Sequence, residues 1–167
     1  MLKKKTYKID VPEVLITQDV VFAIGYESLD MFDLAPDIEK TTGISKQSAL
    51  DYKETPSDAR VYGMCNIMNV KDGACDIFFF INATRLINDI GEYGLQKGGG
   101  NIIAHEAFHL TQLMLMRNQL GLNWWKKDWP GIGGSMEDNI DGEVFASVQG
   151  SVGAQMAAFA SELLLMG

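Results

Sequence analysis

Short apolar runs dominate the first half of the chain, and helical spacing dominates the second. Val20 to Ile24 is an unbroken apolar run closed by Gly25, which has the length and composition of a strand. From Leu29 to Glu54 the pattern is mixed. Ser28, Asp30 and Asp33 supply helix N-caps, while Gly43 and Pro56 break the pattern, so one or two short helices are expected there. Val61 to Val70 and Cys75 to Asn82 are apolar, β-branched or aromatic, and Lys71-Asp72-Gly73 between them is turn chemistry. Together they predict a β-hairpin over 61–82. Ile77-Phe78-Phe79-Phe80-Ile81 shows no polar alternation, which predicts a strand buried on both faces.

Thr84 to Ile90 reads as a short helix. Gly91, Gly94 and the run Gly98-Gly99-Gly100 then predict a flexible approach to the next helix. Asn101 to Gln119 is the strongest helical segment. Asn101 is its N-cap, Gly121 its stop, and Ile102, Ile103, Leu110, Leu113, Met114 and Met116 surround it with apolar side chains. A central, largely buried helix is expected, with Met114 and Met116 as core filling. A loop with Trp124, Trp125, Trp129, Pro130, Gly131, Gly133 and Gly134 leads to a last helix starting at Asp138 or Asp141 and ending at Leu165. There is no internal repeat and no long linker. The expected fold is a single α+β domain over 1–167: a small antiparallel or mixed sheet, a central helix over 101–119 and a C-terminal helix over 138–165. Residues 1–60 are otherwise unassigned.

Composition narrows the function classes. A chain of 167 residues with 47% hydrophobic and 22% charged residues buries a sizeable core and is not globally disordered. Its net charge of -8 disfavours nucleic acid and anionic membranes as partners. Lys3-Lys4-Lys5 resembles the start of a signal peptide, but Thr6 to Glu13 carries charges and a proline where an apolar stretch is required. The lysine run is read as a solvated terminus. The most apolar stretch, Val152 to Met166, is interrupted by Gln155, Ser161 and Glu162, so no membrane span is expected. Two cysteines, Cys65 and Cys75, are too few for a disulfide framework and suit reduced thiols in the cytoplasm. Pairing across the hairpin under oxidising conditions is the alternative.

The candidate chemistry lies in the central helix. His105-Glu106-Ala107-Phe108-His109 places both of the chain's histidines four residues apart, on one helix face. Two imidazoles so placed suit Zn²⁺ at about 2.0–2.1 Å per bond, and Glu106 can reach a water on the metal as general base. Chance produces the two histidines in this order with an intervening Glu about once in two thousand arrangements. The bland alternative is a pair of hydrogen-bonded core histidines beside a paired acid. A third protein ligand is needed, and no histidine remains to supply it. Glu143 is the expected one: its face of the last helix continues through the small residues Ala146, Ser147, Gly150 and Ala154, which allow close approach to the central helix. Glu137, Asp141 and the thiolates of Cys65 and Cys75 stay open as alternatives, and Glu143 can equally be an acid favoured by the helix dipole.

This pattern resembles the zincin metallopeptidases, in the branch whose third ligand is glutamate. The form His-Glu-x-x-His-x-x-Gln followed by Asp-x-Glu-x-x-Ala, carried here by His105, Glu106, His109, Gln112, Asp141, Glu143 and Ala146, is similar to small zincin-like proteins of phages and bacteria. The resemblance covers roughly the last 70 residues. It implies a zinc-dependent hydrolase cleaving peptide bonds, with Glu106 catalytic, His105, His109 and Glu143 on zinc, and a peptide or protein as substrate or partner. It also implies an edge strand at Asp76 to Asn82 that aligns extended substrate beside the site. Zincin peptidases usually add a Tyr, His or Arg for the oxyanion, and neither Tyr62, Tyr93 nor Arg85 is assignable to that role. Losing such a donor typically costs about 10²–10³ in rate. Asp138, Asn139 or Asp141 would orient a histidine.

Two rival classes remain. The same helices can hold zinc as a structural staple, without turnover, in a virion component or host-interaction protein. Alternatively, the chain is an acidic binding module that uses the tryptophan loop. That loop reads equally as a lid or contact surface and as a cap on a small core. Gly98-Gly99-Gly100 lacks the Lys and Ser/Thr of a phosphate loop.

Overall fold

Period-two alternation builds the first strand where the charged residues had hidden it. Tyr7, Ile9 and Val11 are buried while Thr6, Lys8 and Asp10 between them are exposed. The computed structural model describes residues 2–26, 29–34, 45–47, 63–71, 74–84, 92–121, 123–126 and 142–166. Among these, strands β1 (Leu2–Val11), β2 (Ile16–Gly25), β3 (Gly63–Lys71) and β4 (Ala74–Asn82) form one mixed sheet, accompanied by helices α1 (Asp30–Leu34), α2 (Glu92–Leu120) and α3 (Gly142–Leu165). The architecture is α+β.

The sheet order is β1-β2-β4-β3. β1 pairs antiparallel with β2 along its whole length, from Leu2 opposite Gly25 to Val11 opposite Ile16. A 3-10 turn over Pro12–Val14 joins them and places Leu15 in the left-handed region at φ 56°. β2 runs parallel to β4, and β3 folds back antiparallel on β4 as the expected hairpin, with an irregularity between Met68 and Lys71. The parallel pairing puts β4 inside the sheet. Asp76 to Asn82 is therefore not an edge strand. The edges are β1 and β3, and the edge-strand expectation moves to Gly63–Lys71.

The Phe-rich run is buried on both faces, as its lack of alternation predicts. Ile77, Phe79 and Ile81 join Val20, Phe22 and Ile24 beneath Leu110 and Met114 of α2 and Val148, Val152 and Met156 of α3. Phe78 and Phe80 face the other way, into a smaller cluster with Ala23, Met64, Met31, Phe32 and Leu34. Trp124 is buried in the larger cluster and Trp125 packs against it, so this part of the loop caps the core. Trp129 lies outside the described residues, as do Arg85 to Ile90, where a short helix was expected.

Three further expectations give way to the structure. α2 begins at Glu92 and runs straight through Gly98-Gly99-Gly100, so Asn101 is a helix-interior residue rather than an N-cap. Glycine in a helix costs about 1 kcal/mol each, a preference that the helical backbone overrides here. The far end is as read: Gly121, at φ 67°, closes the helix with its N–H donating to the Arg117 carbonyl at 3.0 Å. The lysine run is solvated, as read, but it belongs to β1 rather than to a loose end. Lys3 Nζ donates to the Met166 carbonyl at 2.7 Å, and Lys5 Nζ pairs with Glu162 at 2.8 Å, which ties β1 to the C-terminal end of α3. Cys65 lies opposite Phe79, four residues from Cys75, a separation of about 13 Å along a strand that precludes a cross-hairpin disulfide. Among the described residues, no helix is long and apolar enough to cross a membrane.

Candidate functional site

α2 lies against the outer strand β3, and a glycine makes the approach possible. A Cβ on Gly63 would stand 2.5 Å from Ile102 Cγ2 and 3.1 Å from the Phe80 carbonyl oxygen. Ile102 and Glu106 are four apart on the same helix face, so the contact at Gly63 carries Glu106 to the strand edge as well. There the Glu106 carboxyl accepts a hydrogen bond from the Cys65 backbone N–H. Glu106 is only 5% exposed, and burial pushes its pKa up to about 7 although the Cys65 hydrogen bond pulls the other way.

The two histidines stand next to it. His105 Nε2 and His109 Nε2 are 3.2 Å apart, and Glu106 Oε1 is 3.8 Å from His105 Nε2. One ligand atom from each of the three residues falls within 4.8 Å of the others. His105 is exposed and His109 half-buried, so the cluster opens to solvent on one side. Burial lowers the His109 pKa, a hydrogen bond to the Gln112 side chain partly offsets this, and His105 adds to the lowering. A neutral His109 is the form that ligates a metal.

The donor set fits a tetrahedral metal. Two nitrogens each about 2.05 Å from such an ion stand about 3.3 Å apart, close to the spacing found here. An N–H···N hydrogen bond between neutral rings also spans 3.2 Å.

The other candidate residues are placed differently. Glu143 sits exposed in the first turn of α3, lining a depression with Val11, Val14, Ser147 and Ser151. It is not a member of the three-residue cluster. The small face of α3 does turn towards α2, as its composition suggests, but there Ala146, Gly150, Gly153 and Ala154 line an open groove with Ile103, Ala104 and Ala107, and only Gly153 comes close, an added Cβ standing 3.6 Å from Ala107 Cβ. Those positions lie around the helix from His105 and His109. The Cys65 thiol is buried and stands outside the cluster, its pKa held well above the ordinary value by burial and then by Glu106. Glu137, Asp138, Asn139, Asp141, Tyr62 and Arg85 lie outside the described residues, as do the side chains of Cys75 and Tyr93.

Two contributions have little or no signature in the sequence. The Cys65 N–H that holds Glu106 is a main-chain group and has no sequence signal. Gln112 is visible as part of the spaced pattern, and its bond to His109 is the kind that fixes a ring for ligation. No family model, curated protein or solved structure matches this chain.

Proposed function

We propose that the chain is a zinc-dependent hydrolase acting on peptide bonds. One observation carries the reading: a buried carboxyl, Glu106, shares a cluster with two histidine Nε2 atoms 3.2 Å apart. His105 and His109 would hold the metal. The acid that completes the set would come from the chain after α2, with Glu143 first and Glu137 or Asp141 as alternatives. Zinc bound there supplies Lewis acidity, polarising a scissile carbonyl and lowering the pKa of water towards about 7. Glu106 takes the proton of the attacking water and delivers it to the leaving amine. A carboxyl titrating at about 7 suits both transfers at neutral pH. The Cys65 N–H steadies that carboxyl and Gln112 steadies the His109 ring. The protein partner is then the substrate.

A second reading, zinc as a staple without turnover, draws support from β3. Its Cys65 N–H is engaged by Glu106, and its Ile67 N–H donates to the Asn66 side chain at 2.8 Å. Neither is free to align an extended substrate.

Elemental mass spectrometry on wild type and on His105→Ala, Glu143→Ala, Glu137→Ala and Asp141→Ala tests the metal. About one zinc per chain is expected, lost in His105→Ala and in one of the three acid variants. A peptide-library digestion with zinc-loaded wild type and Glu106→Gln then separates the two readings. Cleavage by wild type that falls by about 10²–10⁴ in Glu106→Gln supports the hydrolase. One zinc with no cleavage leaves the staple, and no zinc uptake removes both.

A further inference from the structure

We propose that Phe108, backed by Phe145, forms an apolar subsite beside the histidine pair that selects an aromatic or large aliphatic side chain next to the bond cleaved. The inference rests on the hydrolase reading and adds the substrate class.

Phe108 is the one exposed phenylalanine, tyrosine or tryptophan among the described side chains, at 37% exposure. It lies three residues after His105, on a neighbouring part of the helix surface, and its ring reaches that of His109. Its centroid is 5.7 Å from that of His109, with the rings inclined at 78°. On its other side it meets Phe145 at 5.4 Å and 61°. Phe145 belongs to the core and is 6% exposed, so the wall behind Phe108 is firmly packed.

An exposed apolar residue is ordinary by itself. Position sets this one apart. Among the other large apolar side chains that are exposed, Leu15 lies in the β1–β2 turn, and Leu164, Leu165 and Met166 lie at the C-terminal end of α3. Val144 lines the depression shared with Val11 and Val14. Among the described residues, Phe108 is the exposed apolar side chain that adjoins the histidines. The strip they occupy is therefore two-sided, with the Glu106–Cys65 contact towards β3 and, towards α3, the part of the Phe108 ring that Phe145 leaves uncovered. A substrate held at the histidines and leaning on the α3 side buries its neighbouring side chain on Phe108. An apolar group gains from that contact, and a charged one loses water without finding a partner.

Hydroxamates of single amino acids test this without turnover, because the hydroxamate supplies its own metal-binding group. Zinc-loaded wild type, Phe108→Ala and Phe108→Leu are titrated calorimetrically with phenylalanine hydroxamate and glycine hydroxamate, after zinc content and circular dichroism show each variant loaded and folded. Wild type is expected to prefer the phenylalanine compound by about tenfold or more. Phe108→Ala should bring that ratio close to one with zinc content unchanged, and Phe108→Leu should retain most of it. Equal binding of the two compounds by wild type, or a ratio that survives in Phe108→Ala, overturns the subsite and leaves the hydrolase reading standing. Absence of zinc uptake overturns both.

Discussion

The two edges of the sheet are finished by the same device put to different ends. At β1, Gln155 of α3 reaches the Asp10 backbone, accepting from its N–H at 3.0 Å and donating to its carbonyl at 2.8 Å. A neutral amide satisfies both groups as a neighbouring strand would, and the flanking lysines keep the edge from pairing with another chain. At β3, the side chain that meets the backbone is Glu106, a buried carboxyl that can only accept when ionised. It fastens α2 to the strand and is left with a pKa near neutrality beside two imidazoles. Where a fastening needs only structure, a neutral side chain suffices. A buried acid in the same role, next to paired histidines, is costly as structure alone and points to chemistry.

The largest expected effect comes from loading the β3 side with zinc. A ligand that binds only the folded state stabilises by about 4 kcal/mol at a thousandfold excess over Kd, about 10 °C in Tm for a chain of this size. Thermal scans with and without zinc should show that rise in wild type and none in His109→Ala. Gln155→Ala, at the opposite edge, should lower Tm modestly in both scans while leaving the zinc increment intact. An increment that Gln155→Ala abolishes would mean that the edges are not independent.

The next effect concerns the close approach at Gly63. A Cβ there collides with Ile102, so Gly63→Ala is expected to cost about 1–3 kcal/mol in chemical denaturation. It should also push β3 from α2 and loosen the Cys65 hold on Glu106, cutting any turnover more than it cuts zinc binding. Gly150 offers the contrast on α3. A Cβ there meets nothing within 4 Å and the backbone is helical, so Gly150→Ala should add about 1 kcal/mol. Destabilisation by Gly150→Ala would mean that the groove beside Gly150 is filled rather than open.

Legibility in the sequence follows the range of the forces involved. The unalternated Ile77–Ile81 run, the hairpin it belongs to and the Gly121 stop were readable because period and turn chemistry are local. β1 was missed because its inward set, Tyr7, Ile9 and Val11, is short and interleaved with charges that look like a terminus. The position of β4 inside the sheet depends on its parallel pairing with β2, a long-range fact that no local pattern encodes. For the site, helical spacing alone brings His105, Glu106 and His109 together. Glu143 was argued from a small-residue face, and that face lines an open groove with Ala104 and Ala107; composition marks a helix face that can approach a neighbour but not which side of that neighbour it turns to.

The smallest expected effect belongs to the β1 edge and is read by pH. Lys5 and Glu162 are paired on the surface. The hydrogen bond from Lys5 lowers the Glu162 pKa, and the same bond raises that of Lys5. A carboxyl held lower when folded contributes stability above its unfolded value of about 4.3, and loses it as pH falls through the folded value. An amine held higher contributes below about 10.4 and loses its share as pH rises through the folded value. The pair is therefore at full strength between about pH 5 and 10. Glu162→Gln should lower stability slightly across that window and leave it unchanged at about pH 3, and the difference should shrink in 1 M salt, where screening acts over about 3 Å. A loss that persists at pH 3 or in high salt would assign the role of Glu162 to packing rather than charge, and the β1 edge would then be tied to α3 by shape and by Gln155 alone.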